Sequence, residues 1–180
     1  QTYSFWQDTF IFVHVMLNAE KEYTMTDKVL ILGANGRFGR ATHKAFSDAG
    51  WDVTALVRPG KSHTGKTIEA DASDPDALAA AAKGFDVIVN ALNPPYHKWT
   101  EMLPVLTASV IAAARTSGAT VLIPGNVYNF GTNPPSLLST ETPQAAAKGK
   151  GALRVEMERS FRDAPSIRTI ILRGGDFIEA

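Results

Sequence analysis

From Met25 onward, short apolar runs alternate with stretches in which apolar residues recur at helical spacing. The short runs are typical of buried strands, and the amphipathic stretches are typical of helices packed on a sheet. Their alternation predicts an α/β fold with a doubly wound parallel sheet, in the strand order 3-2-1-4-5-6. The predicted strands are 29–32, 52–57, 67–70, 86–90, 121–124 and 168–172. The predicted helices are 37–49, 99–117 and 151–164, with a further helix capped by Asp74 and closed by Gly84.

The first predicted strand leads directly into a glycine-rich turn, in which Gly33, Gly36 and Gly39 are spaced three apart. A turn between a strand and a helix directs backbone N–H groups and the positive end of the helix dipole at one place. Because glycine carries no side chain, a pyrophosphate can approach this backbone. Glycines also close helices and let helices pack on sheets, but the strand before and the helix after favour nucleotide binding. The cofactor-binding residues predicted here are Gly33, Asn35, Gly36, Arg37, Phe38 and Gly39.

Polar residues also occupy the carboxyl ends of other predicted strands, where the crevice of a doubly wound sheet opens. Arg58 follows the second strand, and a guanidinium makes charge-assisted bonds to phosphate, so we expect NADP(H) to be preferred over NAD(H). A solvated basic loop is the alternative interpretation. Asp71 follows the third strand, where it either accepts a bond from the adenine amino group or only orders its turn. The other cofactor-binding residues predicted at these ends are Ala72, Asn90, Ala91 and Leu92.

The loop after the fourth predicted strand contains Pro94-Pro95, which stiffens it and permits a cis peptide bond. Small Ala91 in the same loop lets the backbone approach a cofactor.

Composition narrows the class of function. Eighteen basic residues balance eighteen acidic ones, so no net field attracts nucleic acid or an anionic membrane. With no cysteine, the chain forms no disulfide and has no thiolate chemistry. Its four histidines lie at no metal-ligand spacing along the sequence, so we expect no metal site. A small-molecule substrate is therefore the expected partner, without nucleic acid or membrane.

The two ends of the chain differ from its middle. Residues 1–24 lack the strand and helix alternation, and their apolar run 10–17 is too short to span a bilayer. A start at Met25 makes residues 1–24 an extension, whereas an edge strand or interaction arm is the alternative. Ala180 follows the last predicted strand and its loop directly. We therefore expect an NAD(P)-binding domain over residues 25–180 that is part of a longer protein.

Several of these motifs together resemble the extended and atypical short-chain dehydrogenase/reductases, which include NAD-dependent epimerases and dehydratases and NmrA-like redox sensors. The resemblance rests on the glycine spacing, on Ala70-Asp71-Ala72, on Asn90-Ala91 and on the late helix that ends at 154–158, and it covers residues 25 to about 177. It implies a Rossmann-type fold, an NAD(P) cofactor, hydride transfer at a carbonyl or hydroxyl carbon, and a cytoplasmic location. It also implies a C-terminal substrate lobe, which is missing or truncated here.

Relatives of this kind use the long helix over 99–117 to form dimers, so the resemblance also implies a homodimer. Part of the apolar surface of this helix must pack on the sheet. Its apolar positions include Met102, Leu103, Leu106, Val110 and Ile111.

The catalytic positions of the family differ in this chain. Family members that do redox chemistry carry Tyr-x-x-x-Lys, with a Ser or Thr after the fifth strand. Aligned on the helix that ends at Glu158, this chain has Lys150 in place of the tyrosine and Arg154 in place of the lysine. Asn126 stands where the hydroxyl residue would be, so the usual proton relay does not carry over.

Two interpretations of these replacements remain open. In the first, an enzyme uses Tyr128 as acid/base and Asn126 to orient a carbonyl, while Lys150 or Arg154 holds the cofactor or an anionic substrate. In the second, the fold binds NADP(H) without turnover, as in the redox-sensor branch. Tyr128 then packs in its loop and Lys150 is a solvated residue at the start of a helix.

Overall fold

Six parallel strands form one sheet in the part of the chain that the computed structural model describes, residues 27–174. The strands are β1 (Lys28–Leu32), β2 (Asp52–Val57), β3 (Lys66–Glu69), β4 (Val87–Asn90), β5 (Thr120–Gly125) and β6 (Arg168–Arg173). The helices are α1 (Arg37–Asp48), α2 (Pro75–Ala81), α3 (Trp99–Ser117) and α4 (Gly149–Asp163). Short 3-10 helices follow β4 at Tyr96–Lys98 and β5 at Val127–Phe130. The extension proposed over residues 1–24 lies outside the described residues.

The strand order is β3-β2-β1-β4-β5-β6, which confirms the predicted doubly wound sheet. Leu32 at the end of β1 pairs with Leu56 of β2 on one side and with Asn90 of β4 on the other. The carboxyl ends of these three strands are therefore level. Because the order of the sheet reverses between β1 and β4, a crevice opens at this edge.

Both faces of the sheet are covered, which explains the unbroken apolar character of β1. Leu30 and Leu32 pack in one core with residues of α2, α3 and α4. Val29 and Ile31 point to the opposite face and pack in a second core with Phe46 of α1. These four β1 side chains are fully buried, as is usual for the central strand of a parallel sheet.

The long helix α3 has the predicted bounds, and the five apolar positions named for it in the sequence pack toward the protein. Leu103, Leu106 and Val110 belong to the core, and Met102 and Ile111 pack against it. The large apolar side chain that this helix exposes is Val105. The homodimer stays a prediction, because the five apolar residues of this helix named in the sequence analysis pack in or against the core. No described helix is long and apolar enough to cross a membrane.

The structure confirms the predicted N-cap of α2 but not the predicted start of the last helix. Asp74 caps α2 as expected, since its Oδ1 accepts bonds from the N–H groups of Asp76 at 3.0 Å and Ala77 at 3.1 Å. The predicted start of the last helix was wrong: α4 begins at Gly149 rather than at residue 151, which places Lys150 in its first turn. The low helix propensity of glycine hides this start from the sequence. The peptide bonds of residues 27–174 are all trans, so the cis bond permitted at Pro94-Pro95 is not formed.

Candidate functional site

The glycine turn after β1 lies directly against the loop that leaves β4. Gly33 adopts φ +74°, and a Cβ atom there would lie 2.6 Å from the carbonyl oxygen of Ala91. The backbone N–H of Ala91 in turn donates to the carbonyl of Leu32 at 3.0 Å. Any residue other than glycine at position 33 would therefore meet both an unfavourable backbone conformation and a backbone clash.

The other two glycines of the turn let α1 begin close to β1. A Cβ atom on Gly39 would lie 2.2 Å from the carbonyl oxygen of Gly33, so α1 packs on the turn only because this position is glycine. Gly36 is the N-cap of α1 and donates its own N–H to the same carbonyl at 2.9 Å. Among residues 27–174, no side chain caps α1, and its first turn contains no acidic residue. The start of this helix therefore has the features of an anion-binding site.

Asn35 joins the glycine turn to the loop between β2 and β3. Its Nδ2 donates to the carbonyl of Ser62 at 3.2 Å. Arg58 begins that loop at the end of β2 and is exposed, and its carbonyl accepts a bond from the N–H of Lys61 at 2.9 Å. The structure therefore brings a basic loop next to the turn where a dinucleotide phosphate would bind. Arg37 and Phe38 form the start of α1, and their cofactor contacts stay predictions.

Asp71 orders the turn after β3, which was one of its two predicted roles. Its Oδ1 accepts bonds from the hydroxyl of Ser73 at 2.7 Å and from the N–H of Ser73 at 2.9 Å. These bonds lower the pKa of the Asp71 carboxyl, and the charge of Arg58 lowers it further. Asp71 is exposed, so its predicted contact with adenine remains a prediction, whereas the side chain of Ala72 is buried in the core.

The loop after β4 is held by a buried amide. Asn90 is 6% exposed, and its Oδ1 accepts a bond from the N–H of Leu92 at 3.4 Å. Ala91 and Leu92 are half-buried beside the glycine turn. The backbone of this loop and the turn after β1 therefore form the two walls of the crevice.

Two of the three predicted catalytic residues lie on one turn after β5. Asn126 Oδ1 accepts a bond from the N–H of Tyr128 at 3.0 Å and so caps the 3-10 helix that contains Tyr128. The Tyr128 side chain is 41% exposed. A Cβ atom on Gly151 would lie 2.5 Å from the Tyr128 carbonyl oxygen, so the start of α4 packs tightly on this turn. The backbone of Lys150, which precedes Gly151, therefore lies next to the turn that contains Tyr128.

Lys150 has a partner that the sequence did not indicate. Its Nζ lies 3.9 Å from the centroid of the Tyr96 ring, in a cation–π arrangement. Tyr96 comes from the 3-10 helix after β4 and is half exposed. The predicted catalytic lysine and a tyrosine from a different strand end thus meet in space.

Arg154 is buried between α4, β5 and α3. It donates through Nη2 to the carbonyl of Pro124 and through Nη1 to the sulfur of Met157 at 3.6 Å, and its guanidinium lies 5.9 Å from the Trp99 ring centroid. Burial lowers the pKa of Arg154, while the nearby Glu158 raises it. Cofactor binding by Arg154 stays a prediction, since these contacts direct its donors at the protein itself.

A buried ion pair that sequence reasoning did not identify holds the loop after β5 in place. Glu158 is 1% exposed and accepts bonds from Arg173 at 3.1 and 2.6 Å and from Gln144 at 2.9 Å. Arg173 ends β6 and also donates to the Asn126 carbonyl at 2.6 Å. The signal was present in the helical spacing, because Glu158 shares the buried side of α4 with Arg154 and Met157.

Two histidines meet near the crevice although they are distant along the chain. The rings of His43 on α1 and His63 in the loop after β2 have centroids 4.8 Å apart. Burial lowers the pKa of His43, and the charge of His63 lowers it further. Within residues 27–174, no group of three or more His, Asp or Glu side chains could hold a metal ion.

Comparison with known families agrees with this geometry. The sequence model of a family described as NAD(P)H-binding matches residues 33–172, which include the glycine turn and the carboxyl ends of β2, β3, β4 and β5. The chain therefore belongs to this NAD(P)H-binding family. No curated protein sequence matches the chain.

Solved structures show the same fold. The UDP-glucose 4-epimerase from Brucella ovis, in complex with NAD, matches 82% of this chain at 17% identity with a TM-score of 0.70. A short-chain dehydrogenase/reductase superfamily protein from Agrobacterium tumefaciens with bound NAD matches 81% at 22% identity with a TM-score of 0.63. The UDP-Glc/GlcNAc 4-epimerase from Campylobacter jejuni matches 82% at 22% identity with a TM-score of 0.68. The matches cover 51%, 48% and 53% of those chains respectively, so this chain spans about half of their length.

Proposed function

We propose that this protein binds NADP(H) and uses it as an oxidoreductase or an epimerase/dehydratase, acting at a carbonyl or hydroxyl carbon of a small molecule. The observation that carries the proposal is the glycine turn. Gly33 and Gly39 are required by backbone contacts, and no side chain of residues 27–174 caps the start of α1. Membership of the NAD(P)H-binding family and NAD-bound structures of the same fold support it.

The residues that would hold the dinucleotide follow from their positions at the crevice. Residues 33–39 would bind the pyrophosphate through backbone N–H groups. Asp71 and Ala72 would lie at the adenine, and the backbone of Asn90, Ala91 and Leu92 would line the opposite wall. When bound, the nicotinamide supplies two-electron reducing or oxidising equivalents. The role of this chain would be to hold the nicotinamide, to exclude water from it and to transfer the proton to or from the substrate.

Arg58 is the basis for proposing NADP(H) over NAD(H). One charge-assisted bond to a 2′-phosphate contributes about 1.5–3 kcal/mol, which corresponds to about tenfold to a hundredfold in affinity. Calorimetry should therefore show tighter binding of NADPH than of NADH, and Arg58→Asp should remove or reverse the difference. Arg115→Asp is a matched control, because Arg115 is an exposed arginine in the last turn of α3. Equal affinities of the unchanged protein for the two cofactors would contradict the proposal.

Tyr128, Asn126 and Lys150 are the proposed catalytic residues. Tyr128 would donate or accept the proton at the substrate oxygen, Asn126 would orient the carbonyl, and Lys150 would supply positive charge. Tyr128→Phe removes one hydroxyl and little volume, so kcat should fall by about a hundredfold to ten-thousandfold while NADPH affinity stays unchanged. Full activity of this variant would exclude Tyr128 as the proton donor.

A second candidate function is non-catalytic binding of NADP(H), as in a redox sensor. It is favoured by Arg154, which stands at the position of the family's lysine but directs its donors at Pro124 and Met157. Tight NADPH binding without oxidation of NADPH by any member of a broad carbonyl panel would support the sensor. A homodimer and a cytoplasmic location are also proposals, which size-exclusion chromatography and cell fractionation would test.

A further inference from the structure

A depression lies between the 3-10 helix after β4 and the start of α4. Its volume is about 460 Å³, and the residues that line it include Tyr96, Thr100, Lys148, Lys150 and Leu153. Tyr96 and Lys150 each belong to a segment that begins beyond the carboxyl end of a strand, β4 for Tyr96 and β5 for Lys150. The depression therefore lies on the same edge of the sheet as the cofactor crevice.

The ammonium of Lys150 is positioned at this depression by a chain of fixed contacts. Its Nζ lies 3.9 Å from the Tyr96 ring centroid. The Tyr96 ring meets Trp99 edge-on, with centroids 4.9 Å apart. Trp99 is 2% exposed, and its Nε1 donates to the Pro94 carbonyl at 2.9 Å. Trp99, the last residue in this series of contacts, is buried and hydrogen-bonded. Lys150 has therefore already lost part of its side-chain freedom before a ligand binds.

The charges of the lining residues determine what the depression can accept. Among the described residues, two lysines, Lys148 and Lys150, contribute to the lining and no carboxylate does. Leu153 and two alanines supply apolar surface, and Thr100 supplies a hydroxyl. A ligand that fits has an anionic group near the ammonium groups and a flat apolar body against Leu153 and the ring edge of Tyr96.

We propose that this depression is the substrate subsite and that it takes a small anionic carbonyl compound with a flat apolar body. Lys150 and Lys148 bind the anionic group, and Tyr96 is a positioning residue that holds Lys150 through its ring face. The assignment of this anion to the substrate rests on the proposed function. The binding of the anion itself does not, which keeps the two proposals separable by experiment.

The test compares one anionic and one neutral probe of the same shape. 4-(Hydroxymethyl)benzoate and its methyl ester are alcohols, so neither is reduced by NADPH, and calorimetry on the full protein with NADPH present measures binding alone. We expect the acid to bind about tenfold more tightly than the ester, because only the acid forms a charge-assisted contact with the lysines. A tenfold difference in affinity corresponds to about 1.4 kcal/mol. Equal affinities, or no binding of either probe, would overturn the inference.

Variants identify the residues responsible. Lys150→Met keeps the length of the side chain but removes its charge, and it should abolish most of the preference for the acid. Tyr96→Leu should weaken the preference in the same direction, whereas Tyr96→Phe should keep it because phenylalanine retains the ring face. Lys83→Met is the control, since Lys83 is an exposed lysine just beyond α2. Retention of the preference in Lys150→Met would place the anion elsewhere and refute the proposal.

Activity gives a second readout and separates the two proposals. With 4-carboxybenzaldehyde and its methyl ester as substrates, Lys150→Met should raise KM for the acid several-fold more than it raises KM for the ester. If NADPH binds but the acid and ester bind alike, the subsite is wrong and the proposed function stands. If the acid preference is found but NADPH does not bind, the proposed function fails and the anion site remains.

Discussion

Glu158→Gln tests whether the buried ion pair between α4 and β6 stabilises the fold. The substitution keeps the shape of the side chain and removes its charge. In the unchanged protein, Glu158 accepts two bonds from Arg173, at 3.1 and 2.6 Å, and one from Gln144 at 2.9 Å. Glutamine presents a single acceptor oxygen and an N–H₂ group that faces donors. Arg173 would then lose its carboxylate, and the buried Arg154 would lose the negative charge that offsets its burial.

The expected loss of stability follows from the burial of the two partners. Breaking a buried ion pair by removing one partner costs about 3–5 kcal/mol. The Glu158 side chain is 1% exposed but that of Arg173 is 24% exposed, so water can partly solvate the arginine in the variant. We therefore expect the lower end, about 3 kcal/mol. For a protein of this size, that loss corresponds to a decrease in Tm of roughly 6–12 °C.

Urea unfolding followed by circular dichroism measures the difference, with Glu156→Gln as the matched control. Glu156 lies on the same helix and pairs with Arg159, but both of these side chains are more than half exposed. An exposed pair of this kind contributes about 0–1 kcal/mol, so its loss should be small. If Glu158→Gln costs no more than Glu156→Gln, the buried pair does not stabilise the fold and the reasoning is wrong.

Three further predictions use the same unfolding assay. Gly33→Ala should lower the free energy of unfolding more than Gly84→Ala does, because both glycines have positive φ but only a Cβ on Gly33 would clash with backbone. Equal losses for the two variants would show that the turn adjusts freely. Because burial and then the charge of His63 hold the pKa of His43 below 6.5, the unfolded chain binds more protons than the folded one as pH falls below that value. Stability should therefore decrease from pH 7.5 to pH 5.5, and less steeply in His43→Gln; an unchanged slope would assign the effect to other groups. Asp74→Ala should cost about 1 kcal/mol as the loss of an N-cap with two bonds, and no loss would contradict the capping role.

Local patterns in the sequence were sufficient for the elements and their order. The unbroken apolar run of β1 predicts a buried strand, and the glycine spacing after it predicts the turn that leads into α1. Both follow from short-range physics, namely the side-chain period of a strand and the freedom of glycine to adopt positive φ. The N-cap of α2 was predictable for the same reason, since Asp74 satisfies donors only two and three residues away.

Contacts between segments distant in sequence were decided only by the tertiary structure. Lys150 and Tyr96 are far apart along the chain, and their meeting depends on how the loops after β4 and β5 pack together. The pairing of Glu158 with Arg173 likewise requires α4 and β6 to be in place. Residue types and periodicity indicate which side of a helix is buried. They do not indicate which side chain from a distant strand or loop will contact that side. The sequence by itself therefore determined the fold and the position of the crevice, whereas the tertiary structure decided which side chains share the candidate site.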